Sequence, residues 1–205
     1  MGHVLKRLKR GACRLILLLR LPKNSIGAEI GVWRGSFTQH IRRLVRPVSL
    51  HLIDPWVFDP NAELYCESQK KYDAVYDEIC VKFKHEIDRG HFFIHRTFSE
   101  KAAAVFSDNY FDWVYIDGDH RYEEALRDLR IYYEKVRAGG FIAGDDYRRS
   151  DDPMIGVKRA VDEFILEGNV EKVLILGDQY LLKKSSKVCS PSEKQAGIKQ
   201  KNTRF

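Results

Sequence analysis

The sequence predicts an α/β fold: an open, mostly parallel sheet with helices on both faces. Three observations predict it. Short apolar runs alternate with segments of helical spacing, which implies right-handed crossovers. Glycines and acids stand where the runs end, the edge at which such sheets bind ligands. The 205 residues, 44% hydrophobic and 31% charged, suit one domain around one core.

Ile26–Val32 is an apolar run with a glycine near its end and reads as a buried strand; Ser36–Val45 has helical spacing through Phe37, Ile41 and Leu44. Val48–Ile53 is a second strand. From Asn61 to Ile87, Tyr65, Tyr72, Val75, Tyr76, Ile79 and Phe83 recur at three-and-four spacing, so the stretch is helical, in one piece or two. Phe92–His95 is a third strand, Ser99–Phe106 a helix with Ser99 as N-cap, and Phe111–Ile116 a strongly apolar fourth strand. Arg121–Val136 is a helix with Gly139-Gly140 as its stop, and Phe141–Ala143 leads a fifth strand into Asp145-Asp146. Met154–Glu167 is a helix stopped at Gly168; Val173–Leu176 and Gln179–Leu182 form a closing hairpin around Gly177-Asp178, which adds an antiparallel strand.

The formal charge of +6 is concentrated at the ends: residues 1–23 carry +7, residues 183–205 carry +6, and the body between them carries −7. An acidic body has no basic groove for phosphates, so nucleic acid is not an expected partner. Residues 1–23 read as a basic helical segment whose leucines pack on the domain, with peripheral contact to anionic lipid as the alternative. Residues 24–184 form the domain, and residues 185–205 a disordered basic tail. The best apolar stretch, Leu15 to Leu19 between Arg14 and Arg20, is far short of the roughly 18–20 residues that span a bilayer. It follows basic residues as a signal peptide would, but is too short and lacks a small-residue cleavage site. Cys13, Cys66, Cys80 and Cys189 show neither CxxC nor close pairs, so free thiols and a cytoplasmic location are expected. A homo-oligomer is left open, since interface residues resemble core in a lone sequence.

The strand ends carry the chemistry. After the first strand comes Glu29-Ile30-Gly31-Val32-Trp33-Arg34-Gly35-Ser36, where two glycines let the backbone bend and a ligand approach. The dinucleotide pattern GxGxxG is not met, because Trp33 and Ser36 occupy the later glycine positions. Glu29 is a buried-looking acid that an ammonium-bearing ligand would suit. Asp54, in Leu52-Ile53-Asp54-Pro55-Trp56, lies about twenty residues beyond Gly31, the offset of a ribose-binding acid, and also has the form of an Asp-Pro turn. The fourth strand ends in Asp117-Gly118-Asp119-His120 and the fifth in Asp145-Asp146-Tyr147. Carboxylates converging on one crevice need protons or a hard dication, and magnesium is the natural candidate, unless Asp145 and Asp146 simply cap a solvated loop with Asp151 and Asp152.

In this order the four blocks, Glu-x-Gly-x-x-x-Gly, Leu-Ile-Asp-Pro-Trp, Ile-Asp-Gly-Asp-His-x-Tyr-Glu and Gly-Gly-x-Ile-Ala-Gly-Asp-Asp-Tyr, resemble class I S-adenosylmethionine-dependent methyltransferases. The nearest resemblance is to the bacterial branch of macrocin O-methyltransferase and related small-molecule and sugar O-methyltransferases, over roughly Leu21 to Lys184. It implies a Rossmann-like class I methyltransferase sandwich, a seven-stranded mostly parallel sheet with a reversed last strand and helices on both faces. It further implies S-adenosylmethionine as cofactor: Glu29, Gly31, Val32, Gly35 and Asp117 on the methionine side, Asp54 at the ribose, and Ser99 with Thr97 and Phe98 near the adenine. Asp117, Asp145 and Asp146 match the metal ligands of catechol-type relatives, although many members of the macrocin branch have His where this chain has Asp145.

His120 stands where catechol-type relatives present a catalytic lysine, and histidine can take a proton from a hydroxyl near neutral pH. The bland reading makes it a helix-start residue. With Asp117 beside it, the expected reaction is methylation of a hydroxyl on a sugar or other polar small molecule, metal-assisted, with Trp56 and the Tyr65–Phe83 aromatics as lid and acceptor wall or as core. The competing readings are a noncatalytic nucleotide- or glycan-binding module and a nicotinamide-dependent oxidoreductase, which the missing glycines disfavour.

Overall fold

A computed structural model describes residues 11–58, 68–147, 156–168 and 170–186. A helix, α1, runs through residues 11–18. It is followed by β1 (Ile26–Ile30), α2 (Ser36–Leu44), β2 (Ser49–Asp54), α3 (Gln69–Lys82), α4 (Lys84–Asp88), β3 (Phe92–Arg96) and α5 (Ser99–Ala103). Then come β4 (Phe111–Ile116), α6 (Tyr122–Lys135), β5 (Val136–Gly144), α7 (Val157–Leu166), β6 (Val170–Leu176) and β7 (Gln179–Lys184). The seven strands form one sheet in the order β3-β2-β1-β4-β5-β7-β6. β1 to β5 pair in parallel, and β7 runs antiparallel between β5 and β6. The order reverses between β1 and β4, the switch point at which a crevice opens beyond the strand ends.

Each face of the sheet has its own apolar layer. On one face Leu17, Leu18 and Leu21 of the N-terminal segment pack with Phe37, Ile41, Ile79, Phe83, Trp113 and Tyr115. On the other, Ala102, Leu126, Leu129, Val161 and Phe164 cover Ala28, Val114, Ile116 and Ile142. Side chains alternate across strands, so β4 contributes Trp113 and Tyr115 to the first layer and Val114 and Ile116 to the second.

The expected elements are present, and three differ in detail. The Asn61–Ile87 segment, where described, is two helices with a break at Phe83, the first beginning at Gln69; Tyr65 lies outside the described residues. Gly139-Gly140 does not stop α6. The chain is already extended at Val136, which pairs with Phe111, and the glycines fill a bulge before Phe141 pairs with Trp113. Carbonyls near the end of α6 are met by Lys184, whose Nζ donates to Tyr133 O and Val136 O at 2.8 Å each. Ser99 is the first residue of α5 rather than its cap: Phe98 holds the extended cap conformation and accepts from Ala102 N–H. The expected disordered tail beyond residue 186, Asp151, Asp152, Cys66 and Cys189 lie outside the described residues; Cys13 and Cys80 are free thiols.

Candidate active site

Register places the site. Ile30 is level with Ile53 and Ile116, and Ile116 with Gly144. One residue on, the ladder still holds: Gly31 N–H donates to Ile53 O at 2.9 Å, Asp117 N–H to Ile30 O at 2.8 Å and Asp145 N–H to Ile116 O at 3.2 Å. Gly31, Asp54, Asp117 and Asp145 therefore line one rim.

Gly31 has φ 86°, and a Cβ there would run into the carbonyl of Asp117. Only glycine lets β1 leave the sheet so close to β4. Gly35 has φ 64°, and a Cβ would press on Ile79 and Phe83 at 2.8 Å, so its demand comes from packing beneath the turn. Asp54 ties this turn together. Its Oδ2 accepts from Val32 N–H (3.0 Å) and Trp33 N–H (2.9 Å), and its Oδ1 from Trp56 N–H (2.9 Å). Trp33 and Trp56 are held at φ 50° and 42°, a left-handed conformation costing about 1–2 kcal/mol each, which these charge-assisted bonds offset. The turn-forming role weighed for Asp54 is thus real, and of about four acceptor directions one remains for a ribose hydroxyl. Burial pushes its carboxyl up, and the three N–H bonds pull it back.

Glu29 is 1% exposed, and Thr38 Oγ1 donates to its Oε2 at 2.6 Å. Burial pushes its pKa up to about 8, against the Thr38 bond. At the far end of the rim, Ser99 Oγ donates to Asp128 Oδ1 (2.6 Å) and Tyr132 OH to Ser99 O (2.9 Å). Asp128, pushed up to about 6 by burial, went unnoticed in the sequence because it reads as one more helix-surface acid. Phe98 is 50% exposed and so is not core. Trp56 is fully buried, its Nε1 donating to Trp33 O at 3.0 Å and its ring 5.3 Å from Tyr76, so it is core rather than acceptor wall.

The acid cluster holds the main departure from expectation. Arg14 of α1 reaches across the crevice, donating to Asp117 Oδ2 at 2.9 Å and to Asp145 Oδ2. Its guanidinium lies 5.3 Å from the Phe37 ring centroid. Burial works against its charge, but Tyr115, Asp117 and Asp145 outweigh that and hold it more firmly protonated than usual. Asp145 Oδ1 accepts from Gln179 Nε2, and Gln179 Oε1 accepts from Tyr115 OH at 2.8 Å, so a buried chain of polar groups ends on Arg14. Asp146, at φ 61°, turns the other way: its Oδ2 lies 3.0 Å from His120 Nε2, with Asp117 Oδ1 at 3.7 Å. His120 is therefore not merely a helix-start residue.

Asp117, Asp145 and Asp146 do not converge as the magnesium expectation requires, because both oxygens of Asp145 are engaged by Gln179 and Arg14. The ligand atoms that do gather within 4.8 Å of one another are those of Asp117, His120 and Asp146. A dication among them would face the guanidinium that also holds Asp117, and would take the His120 nitrogen. Asp117, Asp145 and Asp146, placed in this way, do not form the expected magnesium ligand set.

A seven-stranded sheet of this order with β7 reversed, carrying a glycine turn after β1 and acids after β2, β4 and β5, defines the class I methyltransferase fold. Residues 28–147 match the methyltransferase-domain family, and the chain belongs to that family. It is thereby an S-adenosylmethionine-dependent methyltransferase. An O-methyltransferase from Bacillus cereus, solved with S-adenosylhomocysteine, superimposes with a TM-score of 0.58 at 15% identity, over 84% of this chain and 78% of that one. The N-methyltransferase NodS from Bradyrhizobium japonicum WM9 superimposes with a TM-score of 0.56 at 16% identity, over 84% and 94%. In sequence, an uncharacterized protein, R132, of Acanthamoeba polyphaga mimivirus is 45% identical over 40 residues; the match spans 20% of this chain and only 18% of that protein.

Proposed function

We propose that this enzyme methylates a hydroxyl group of a sugar or other polar small molecule, within the macrocin O-methyltransferase-like branch of its family. The observation that carries the proposal is His120 Nε2 lying 3.0 Å from Asp146 Oδ2 with Asp117 beside it, which sets a base next to carboxylates at the rim where an acceptor would lie. Glu29 faces the cofactor's ammonium, the backbone of Gly31 and Val32 gives it room, Gly35 shapes the turn from beneath, Asp54 offers its remaining lone pair to the ribose, and Ser99 marks the adenine end. Asp117 belongs to both halves of the site.

S-adenosylmethionine supplies a methyl group on a positively charged sulfur. With the cofactor bound, His120 would take the hydroxyl proton as the acceptor oxygen displaces sulfur at the methyl carbon, the leaving electron pair neutralising the sulfonium. Positioning does most of the work, and no covalent enzyme intermediate forms. Magnesium has no step in this reading. With labelled S-adenosylmethionine and a panel of sugar and polyol acceptors, His120→Ala lowers turnover about 10²–10⁴-fold while S-adenosylhomocysteine binds as before. Turnover close to wild type would remove His120 from the mechanism.

A further inference from the structure

We propose that Arg14 is a cation built into the site, standing where the sequence resemblance implies a metal, and that it keeps the acid cluster from taking up a divalent ion. Acids meeting at two strand ends need a positive charge near them, which is why the sequence points to magnesium. The structure supplies that charge from α1. Nη2 of that one guanidinium bridges Asp117, just after β4, and Asp145, just after β5, and its two N–H groups can serve one carboxylate each.

Three further features show that the arm is built for this place. Leu17 and Leu18, both fully buried, and Leu21, at 4% exposure, anchor the N-terminal segment in the core, so Arg14 is carried on a fixed element. The Phe37 ring lies under the guanidinium and favours a cation there. Gln179, fully buried and fixed by Tyr115, donates to the other oxygen of Asp145, so that carboxylate is turned toward α1 and away from Asp146. Asp146 thereby lies beside His120, with the second oxygen of Asp117 near the same nitrogen. Arg14 is thus a positioning residue: it acts through Asp117 and Asp145.

The inference rests on the crevice being the acceptor site for its meaning, but its test does not need an acceptor. Mn²⁺ and Mg²⁺ are titrated calorimetrically into the full chain, wild type and Arg14→Met, a substitution that keeps the stem on Phe37. Arg14→Gln serves if the methionine variant does not fold. The neutral variant is expected to gain a saturable site, at least about tenfold tighter than any in the wild type, because the carboxylates lose the cation they share. The same ion raises the melting temperature of the variant and not of the wild type. Adding Asp145→Asn removes the gain. A wild-type chain that binds Mn²⁺ as tightly as the variant would overturn the proposal, as would folded neutral variants that gain no site. S-adenosylhomocysteine binding in the same samples separates this outcome from failure of the methyltransferase reading, which it tests independently.

Discussion

Glu29 shows what a single buried side chain sets for the whole protein. A carboxyl sealed at the end of β1 leaves water only at a cost, and its one described donor is Thr38. The unfolded chain releases this proton near 4.5, while the native state holds it until about 8. The folded pKa is raised, so the stability linked to Glu29 is complete below pH 4.5 and declines as pH rises toward 8. Thermal unfolding between pH 5 and 8 should therefore show a decline that Glu29→Gln flattens; an unchanged slope in the variant would mean that Glu29 is ionised throughout. A bound ammonium reverses the preference, so S-adenosylhomocysteine binding at pH 7 should release a proton, read as a dependence of the binding heat on buffer ionisation. Glu29 and Gly31 were legible in the sequence because both belong to one local turn. Arg14 was not: it is a helical residue among other basic ones, and its contacts with Asp117 and Asp145 lie over a hundred positions away, beyond any periodicity.

At the scale of elements, α1 follows the packing alternative for the N-terminal segment. Leu17 and Leu18 have no exposed surface, so Leu18→Ala should cost about 2–5 kcal/mol, measured by denaturant unfolding with an unchanged m-value. A loss below about 0.5 kcal/mol, the range of surface substitutions, would mean that α1 is a loosely held appendage. Leu15 and Ile16 on the outer side of this helix, and Leu19 just beyond it, are 36%, 44% and 60% exposed. The strands were the most legible elements, since β4 and the β6–β7 hairpin are bounded by apolar runs and a Gly-Asp turn. The end of α6 was misread because Gly139-Gly140 is a stop signal locally and a bulge in the sheet. Which one wins depends on Phe111 pairing with Val136 and on Lys184 capping the helix from β7, neither of which is a local property.

For the molecule as a whole, the α/β class followed from alternation and the rim from the rule that parallel strands end together, while the seven-stranded sheet with a reversed last strand followed from the family resemblance. The dual nature of Asp54, ribose acid and turn tie, was visible as two readings that the structure joins in one carboxylate. What alternation could not supply was the direction each acid faces: Asp145 and Asp146 are adjacent in sequence but look to opposite sides, because Asp146 takes a left-handed backbone. In the proposed reading this rim binds S-adenosylmethionine without a metal. Calorimetric titration with S-adenosylhomocysteine, run once with magnesium and once with EDTA, tests it most directly. The account predicts saturable one-to-one binding of equal affinity in both buffers. No binding in either buffer would contradict the methyltransferase reading, and binding lost in EDTA would contradict the place given to Arg14.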